Sequence, residues 1–422
     1  MAGRNLTLLL VLAAGFVPAS AASADPLGPE SVKLDMDRLQ PGLYPAAPAL
    51  IGAGDEAPHP PFHLDWSIGL KGAYTSSNTG GNFLTTLSPA FTAIHDGQRT
   101  DIVIEGSGTM ARQWEGDGKA GVTALRLGLS SDTALGADMR LKGNAAINFG
   151  QALPGTQGLN ADIITPPQTL SGSAGLGIER SFGQINLGLK GNVDRTVYGP
   201  TLRRDTGLTD NANQNLWQAD AVLRAGVQVT PILEVFTEAT LGRDIFDAAS
   251  PTLGVKTDAT STALRGGIAG NWNGIVRASA SIGRGRHDFD AAGLTDVDTW
   301  LYDASLSFSP DPTLNLTASL SSAVEPPGSD SNGTARVVHT AETRLDYTVN
   351  SWLRLRASAE WGLSRLEGNG ETEQRRGLGA GADYALNKHT ALSADYGYGH
   401  RDNSNSGQSD THTVSVGITL RR

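Results

Sequence analysis

The sequence predicts an all-β fold, a transmembrane antiparallel up-and-down β-barrel of about 18 strands, within a range of about 16–18. Apolar and polar residues alternate with period two from residue 62 almost to the end, which is the side-chain pattern of a strand. The alternating stretches exceed ten residues, whereas strands of globular proteins usually have about five or six and membrane-crossing strands need about 9–11. Tight turns also alternate with longer polar loops, as in outer-membrane barrels with short periplasmic turns and long extracellular loops.

Composition excludes several other classes of protein. The chain has 422 residues, 52 glycines, no cysteine and a net charge of -10. Without cysteine there are no thiolate metal sites, iron–sulfur clusters, disulfides or catalytic thiols. The negative charge disfavours nucleic acid as a partner. Beyond the first two dozen residues no apolar run reaches the roughly 20 residues that a membrane-spanning helix needs.

The first 61 residues differ from the rest of the chain. Residues 1–24 are predicted to be a signal peptide, because Arg4 precedes an apolar run at 6–17 and small residues stand at Ala22 and Ala24. Residues 25–61 are rich in proline and have no apolar period, so we expect a mobile arm in the periplasm. The arm is either a linker or a plug that enters a pore. The barrel is expected to occupy residues 62–422.

The connections set the strand count. Short turns are predicted at residues 95–98, 131–132, 182–183, 230–231, 273–274, 309–312, 350–351 and 387–388. Long loops are predicted at 76–81, 115–119, 151–168, 198–214, 248–258, 288–296, 325–334, 367–374 and 401–409. These connections separate 18 strands and leave both ends of the barrel on the same, periplasmic, side. The stretches at 83–94 and 233–245 alternate poorly and are the least regular of the predicted strands.

The apolar faces of so many long strands need a large apolar environment. A soluble sandwich hides one apolar face inside, but here charges occupy the opposite face of nearly every strand. Lipid can cover the apolar faces, provided that the sheet closes so that every backbone group is paired. A soluble propeller or β-helix is the alternative, and a propeller would show a repeat of about 40–50 residues that this sequence lacks.

Aromatic residues are concentrated near the predicted strand ends, as expected for the two girdles of a membrane barrel. The predicted membrane-interface aromatics are Trp66, Trp114, Trp217, Trp272, Trp300, Trp352 and Trp361.

The polar faces supply candidates for a water-filled lumen, in which charged side chains tune ion selectivity. The predicted pore-lining basic residues are Arg126, Arg140, Lys142, Lys190, Arg224, Arg265, Arg277, Arg344, Arg354 and Arg356. The predicted acidic ones are Asp138, Asp220, Asp346 and Glu360. Alternatively these charges only pair across neighbouring strands. The long loops at 151–168 and 198–214 are the candidates for a constriction.

Short strand–turn–strand phrases recur near residues 181–189, 307–318, 347–359 and 384–396, and the chain closes with a strand that ends at Arg422. With these phrases the sequence resembles a proteobacterial outer-membrane family called putative beta-barrel porin 2, from about residue 62 onwards. The resemblance implies an outer-membrane barrel, and some members of the family accompany polysaccharide export. It implies no substrate and no catalytic residues, and Arg422 replaces the aromatic that ends many such barrels.

We therefore expect a non-enzymatic, porin-like conduit for small hydrophilic solutes or ions in the outer membrane of a Gram-negative cell. The alternative is an accessory or structural barrel in envelope or exopolysaccharide export. Outer-membrane lipid is the expected partner, together with small solutes or polysaccharide-export components. No sequence pattern predicts a cofactor, a metal site or a catalytic residue, since the Gly-x-Gly steps lack a nucleotide-site context and the histidines lack metal-ligand spacing.

Overall fold

The computed structural model describes residues 62–78, 80–114, 120–152, 163–328 and 333–422. The predicted signal peptide, residues 1–24, and the predicted arm, residues 25–61, lie outside this part of the chain. Among the described residues there is no helix that is long and apolar enough to cross a bilayer.

Eighteen strands form one antiparallel sheet, which closes because the first strand pairs with both the second and the last. The barrel strands are β1 (Phe62–Ser77), β2 (Gly80–Asp96), β3 (Thr100–Gln113), β4 (Ala120–Ala134), β5 (Met139–Gln151), β7 (Gln168–Phe182), β8 (Ile185–Tyr198), β11 (Leu216–Thr230), β12 (Leu233–Phe246), β13 (Ala259–Trp272), β14 (Val276–Phe289), β15 (Val297–Asp311), β16 (Leu314–Glu325), β17 (Arg336–Asn350), β18 (Leu353–Leu366), β19 (Thr372–Asn387), β20 (Thr390–Asn403) and β21 (Gly407–Arg421). The predicted fold class and strand count are confirmed.

Three short strands make a second sheet from two of the long loops. They are β6 (Ile163–Thr165), β9 (Thr201–Arg203) and β10 (Gly207–Thr209), in the order β10-β9-β6. A single 3-10 turn, Ala212–Gln214, follows them. We call the barrel end that carries this sheet the loop end, and the opposite end the turn end.

The predicted alternation of connections is present, but two of the predicted long loops are short. Only residues 78–79 separate β1 from β2, and only residues 404–406 separate β20 from β21. The sequence predicts longer loops at 76–81 and 401–409, because the period-two pattern disappears where both faces of a strand meet water. The hydrogen-bonded ladder nevertheless continues to Ser77–Gly80 and Asn403–Gly407.

Pro89 lies within the second strand, which continues as a strand on both sides of it. It pairs with Ile68 on the β1 side, where no N–H of its own is needed. On the other side, the β2–β3 ladder runs through Leu87–Met110, omits the next two rungs and resumes at Ala90–Ser107. Proline cannot donate to a ladder, so the interruption is confined to its own neighbourhood.

The outer face of the barrel is apolar. Large side chains such as Leu176, Leu241, Leu264 and Ile282 are more than half exposed, and they stand at alternate positions on neighbouring strands. An exposed apolar surface of this extent is stable only against lipid. The fold therefore has its main apolar contact outside the sheet rather than in an enclosed core.

An ion pair crosses the seam where the first and last strands meet. Lys71 of β1 donates to Asp395 of β20 over a distance of 2.9 Å, passing above β21. The β21 residues beneath it are small, since Ser415 is the register partner of Asp395 and Gly417 that of Lys71. The side chain of Asp395 is only 5 % exposed, so this pair is shielded from screening by solvent.

We predict that Asp395→Asn lowers the free energy of unfolding by about 3 kcal/mol, the order expected when one member of a buried ion pair loses its charge. Urea unfolding from lipid vesicles measures the change. Asp132→Asn is the matched control, because Asp132 pairs with Arg140 at 3.4 Å with both side chains substantially exposed. That control should cost less than about 1 kcal/mol. Equal losses in the two variants would contradict the assignment of the seam pair.

Candidate functional site

The inner face of the barrel carries nearly all of the sequence-predicted lumen charges. Alternation and register place these side chains opposite the apolar outer face, on positions that pair with one another across the sheet. They are Arg126, Arg140, Lys142, Lys190, Arg224, Arg265, Arg277, Arg344, Arg354, Arg356, Asp220, Asp346 and Glu360. Asp138 is different, because residues 135–138 form the turn between β4 and β5 and Asp138 lies exposed in that turn.

Several of these charges pair across neighbouring strands. Lys142 contacts Glu179 at 2.7 Å, joining β5 to β7. Arg265 contacts Glu238 at 2.8 Å, joining β13 to β12. Asn192 donates to Asp220 at 2.9 Å, joining β8 to β11. The inner wall is thus held partly by side-chain bonds that run around the barrel.

The most extensive ion-pair network lies toward the turn end and includes the seam. Arg356 of β18 contacts Asp383 at 3.0 Å and Asp395 at 2.7 Å. Arg354, two residues before Arg356, pairs with Asp346 of β17. With Lys71 the bonded network runs from β18 to β1, and the Arg354–Asp346 pair lies beside it; both arginine side chains are at least nine-tenths buried. Such buried charges need partners, and each of them has one.

Two inner-face residues of β12, Phe236 and Glu238, are not among the residues predicted from the sequence. Phe236 points into the lumen and is buried, with the guanidinium of Arg224 lying 3.6 Å from its ring centroid. Gly267 of β13 provides the space, since a Cβ there would lie 2.5 Å from Phe236 Cζ. An aromatic on the polar face is what disturbs the alternation of this strand. Glu238 lies four residues after Glu234 and therefore on the same face of the strand, and this spacing could have identified it from the sequence.

A second group of paired charges lies on the inner face near the loop end. Glu373 of β19 accepts from Arg401 Nε at 2.8 Å and from Asn403 at 3.1 Å, and it also pairs with Arg375. The carboxylate is buried although it lies on the inner face. The arginines are in register across β19 and β20, as the pair Arg375–Arg401. Glu373 therefore neutralises two neighbouring cations that would otherwise repel each other.

At the loop end the inner wall is covered. Tyr198, Leu216 and Phe246 have the parity of the inner face on β8, β11 and β12, yet they form a buried apolar cluster. Residues that point into an open lumen would be exposed, so loop residues must lie against them. The backbone N–H of Tyr198 donates to Asn215 Oδ1 at 2.7 Å.

The small sheet of β6, β9 and β10 rests on the same part of the rim. Thr201 of β9 is fully buried, and Asn211 donates to Thr201 Oγ1 and to the carbonyl of Gly199, both at 2.8 Å. Between β9 and β10, Asp205 accepts hydrogen bonds from Arg203 on both carboxylate oxygens, at 3.0 and 3.1 Å. The hydrogen bonds from Arg203 hold the pKa of Asp205 below its usual value. These contacts give the loops a defined structure.

The tryptophans occupy the two ends of the outer face. Trp217, Trp300 and Trp361 lie toward the loop end of β11, β15 and β18, whereas Trp66 and Trp272 lie toward the turn end of β1 and β13. Trp352 lies in the turn before β18, and Trp114 follows the last residue of β3. Arginines lie over three of the loop-end rings, with Arg112, Arg195 and Arg284 stacked at 4.4, 5.2 and 5.5 Å from the ring centroids of Trp114, Trp217 and Trp300.

A closed antiparallel barrel with an apolar outer face and a charged inner face defines the porin-like class of outer-membrane proteins. Residues 67–422 match the family described as "putative beta-barrel porin 2". The chain belongs to this family and is a porin-like barrel of the outer membrane.

Solved outer-membrane proteins are similar in structure at low identity. OccK3 (OpdO) of Pseudomonas aeruginosa is 13 % identical, covering 85 % of this chain and 96 % of that one, with a TM-score of 0.40. OccK2 (OpdF) of the same organism, in complex with glucuronate, is 11 % identical over 85 % and 98 %, with a TM-score of 0.44. OccAB4 of Acinetobacter baumannii is 12 % identical over 85 % and 98 %, with a TM-score of 0.39. Identities and TM-scores this low do not indicate which solutes this chain passes. The sequence matches none of the curated proteins.

We predict that Arg126→Cys reacts much faster than Leu127→Cys with a positively charged methanethiosulfonate reagent in lipid vesicles. Arg126 is exposed on the inner face of β4, and Leu127 is exposed on the outer face, where lipid covers it. The natural chain contains no cysteine, so only the introduced thiol is labelled. Mass spectrometry of the intact protein over time gives the two rates. Equal rates would show that the inner face is not reached by water.

Proposed function

We propose that the barrel lumen passes small hydrophilic solutes or ions across the outer membrane. The observation that carries this proposal is the exposed charge on the inner face, at positions such as Arg126, Arg344 and Glu360, while the outer face is apolar. Charged side chains that remain exposed inside a membrane barrel need water around them. A barrel of 16–18 strands is wide enough to hold an aqueous channel.

One part of the inner wall favours cations. Glu342 of β17 and Glu360 of β18 are directly opposite in register, and both are exposed to the lumen. Like charges placed opposite each other destabilise a sheet. Arg344 lies two residues from Glu342 on the same face and limits, without removing, the local negative potential. We propose that this carboxylate pair attracts cations from the solution that fills the lumen.

The loop end is the proposed constriction. The loops of residues 152–167 and 199–215 contribute the small sheet, and the described loop residues at this end cover Tyr198, Leu216 and Phe246 on the inner wall. We propose that they limit the size of solutes that enter. The turn end would face the periplasm and the loop end the exterior, which is the usual orientation of such barrels. Residues 25–61 would then form a linker on the periplasmic side.

An accessory role in envelope polysaccharide export is the second candidate. A barrel in that role could carry a closed lumen and a partner bound to its loops. The conductance of the purified protein separates this role from a conduit.

We predict that the protein, reconstituted in a planar bilayer, produces discrete and reproducible single-channel current steps. The charged, water-exposed inner wall provides the path for ions. Heat-unfolded protein from the same preparation is the control and should give no steps. A silent bilayer with protein shown to be folded by its β-sheet circular dichroism would contradict an open conduit and favour the accessory role.

We predict that Glu342→Gln combined with Glu360→Gln lowers the permeability ratio of K⁺ to Cl⁻, because the lumen loses two exposed negative charges. The reversal potential in a salt gradient measures this ratio. Asp298→Asn is the control for loss of an acidic charge, since Asp298 pairs with Arg284 beside Trp300 on the outer face. An unchanged ratio in the double variant would exclude this carboxylate pair as a selectivity element.

A further inference from the structure

The ladder between β15 and β16 ends before the two strands do. Its last pair is Asp303–Ser321, although β15 continues to Val297 and β16 to Glu325. Over the same height β15 stays paired with β14, and β16 stays paired with β17 as far as Glu325–Arg336. At the loop end this is the one junction between described barrel strands where both strands continue for at least four residues without pairing with each other. A strand edge that lacks its backbone ladder next to an available partner strand calls for an explanation.

A serine side chain occupies the first position of the gap. The backbone N–H of Tyr302 donates to Ser322 Oγ at 2.8 Å. In the continued register, Tyr302 would face Ser322, Leu301 would face Ala323 and Thr299 would face Glu325. The amide of Tyr302 already points towards β16, so the pair Tyr302–Ser322 is set to be a hydrogen-bonded pair and Leu301–Ala323 a non-hydrogen-bonded one.

The ends of β16 and β17 lie inside the barrel. Val324 and Val337 are register partners and have the parity of the outer face. Val337 is nevertheless only 5 % exposed, and both valines pack with Val297 and Phe289, which have the parity of the inner face on β15 and β14. The outer face of β16 and β17 can contact the inner face of β14 and β15 only if the ends of β16 and β17 lie on the lumen side of β14 and β15. Residues 322–325 and 336–338, which we call the hairpin ends, are therefore folded into the lumen.

The inner side of the hairpin ends carries two residues of opposite charge. Glu325 and Arg336 are register partners on that side. Arg336 also donates to the carbonyl of the fully buried Pro327 at 3.1 Å. Because the hairpin ends lie on the lumen side of β14 and β15, they narrow the mouth of the lumen.

We propose that the edge of β15 at residues 299–302, where the Ser322 hydroxyl now bonds to the backbone of Trp300 and Tyr302, is a docking site for residues 322–325 of β16 in the same chain. When the hairpin ends are folded inwards, as here, the apolar cluster around Val297 is formed and the mouth is narrow. When they dock on β15, four rungs of ladder form, the cluster opens and the mouth widens. A few ladder bonds and a small apolar cluster have stabilisation energies of similar order, so neither form is strongly favoured over the other. This mechanism rests on the proposed conduit function, whose aperture it would set.

The test is a disulfide that traps the docked form. Leu301→Cys with Ala323→Cys places two cysteines at a non-hydrogen-bonded pair of the continued ladder, where the Cα separation suits a disulfide. Ser321→Cys with Thr340→Cys is the control, because these residues are already paired one rung below the gap and their hydroxyl oxygens are 2.7 Å apart. Both proteins are reconstituted in planar bilayers and measured before and after oxidation, and the bridge is verified by mass spectrometry of peptides.

The expected result is that the 301–323 bridge forms, raises single-channel conductance severalfold, and that dithiothreitol reverses the rise, whereas the 321–340 bridge leaves conductance unchanged. If the 321–340 bridge forms and the 301–323 bridge does not, β16 never reaches β15 and the proposal is overturned. A verified 301–323 bridge without a change in conductance would also overturn it. Silence of every variant, bridged or reduced, would instead remove the conduit function, because formation of the bridge reports docking without any current.

Discussion

The structure depends on one constraint, that every backbone N–H and C=O facing lipid must be paired within the protein. A sheet satisfies it only by closing, and closure requires the first strand to meet the last. Here β1 pairs with β21 along Ser67–Arg421 to Ser77–Thr411. Closure also fixes the inner and outer faces of every strand, because side chains alternate without exception along an unbroken ladder. The apolar girdle and the charged lumen follow from that geometry.

The inner wall compensates for the absence of an enclosed apolar core. Ion pairs such as Lys142–Glu179 and Arg265–Glu238 join neighbouring strands, and the network around Arg356 continues across the seam. The same side chains would fix which ions the lumen admits. Stability and proposed function are therefore coupled in this wall, and the exposed pair Glu342–Glu360 shows where mutual neutralisation is incomplete.

The constraint relaxes at the loop end, and irregular structure is concentrated there. Above the lipid, water can satisfy backbone groups, so loops fold over the rim and the ladder between β15 and β16 can stop at Asp303–Ser321. The small sheet of β6, β9 and β10 and the cluster around Val297 both lie at this end. Functional variety among barrels is expected in such regions, because loops can change while the wall cannot.

The sequence by itself determined the barrel, its strand number and the face of every charged candidate except Asp138, which lies in a turn. Period two is a local property that lipid on one side and water on the other impose on every strand. It did not determine Phe236 as an inner residue, because an aromatic on the polar face breaks the pattern and its acceptance depends on the space above Gly267. Nor could it show the pairing of Lys71 with Asp395 or the inward position of the hairpin ends. Those features depend on register and on contacts between residues far apart in sequence, and only the closed tertiary structure brings them together.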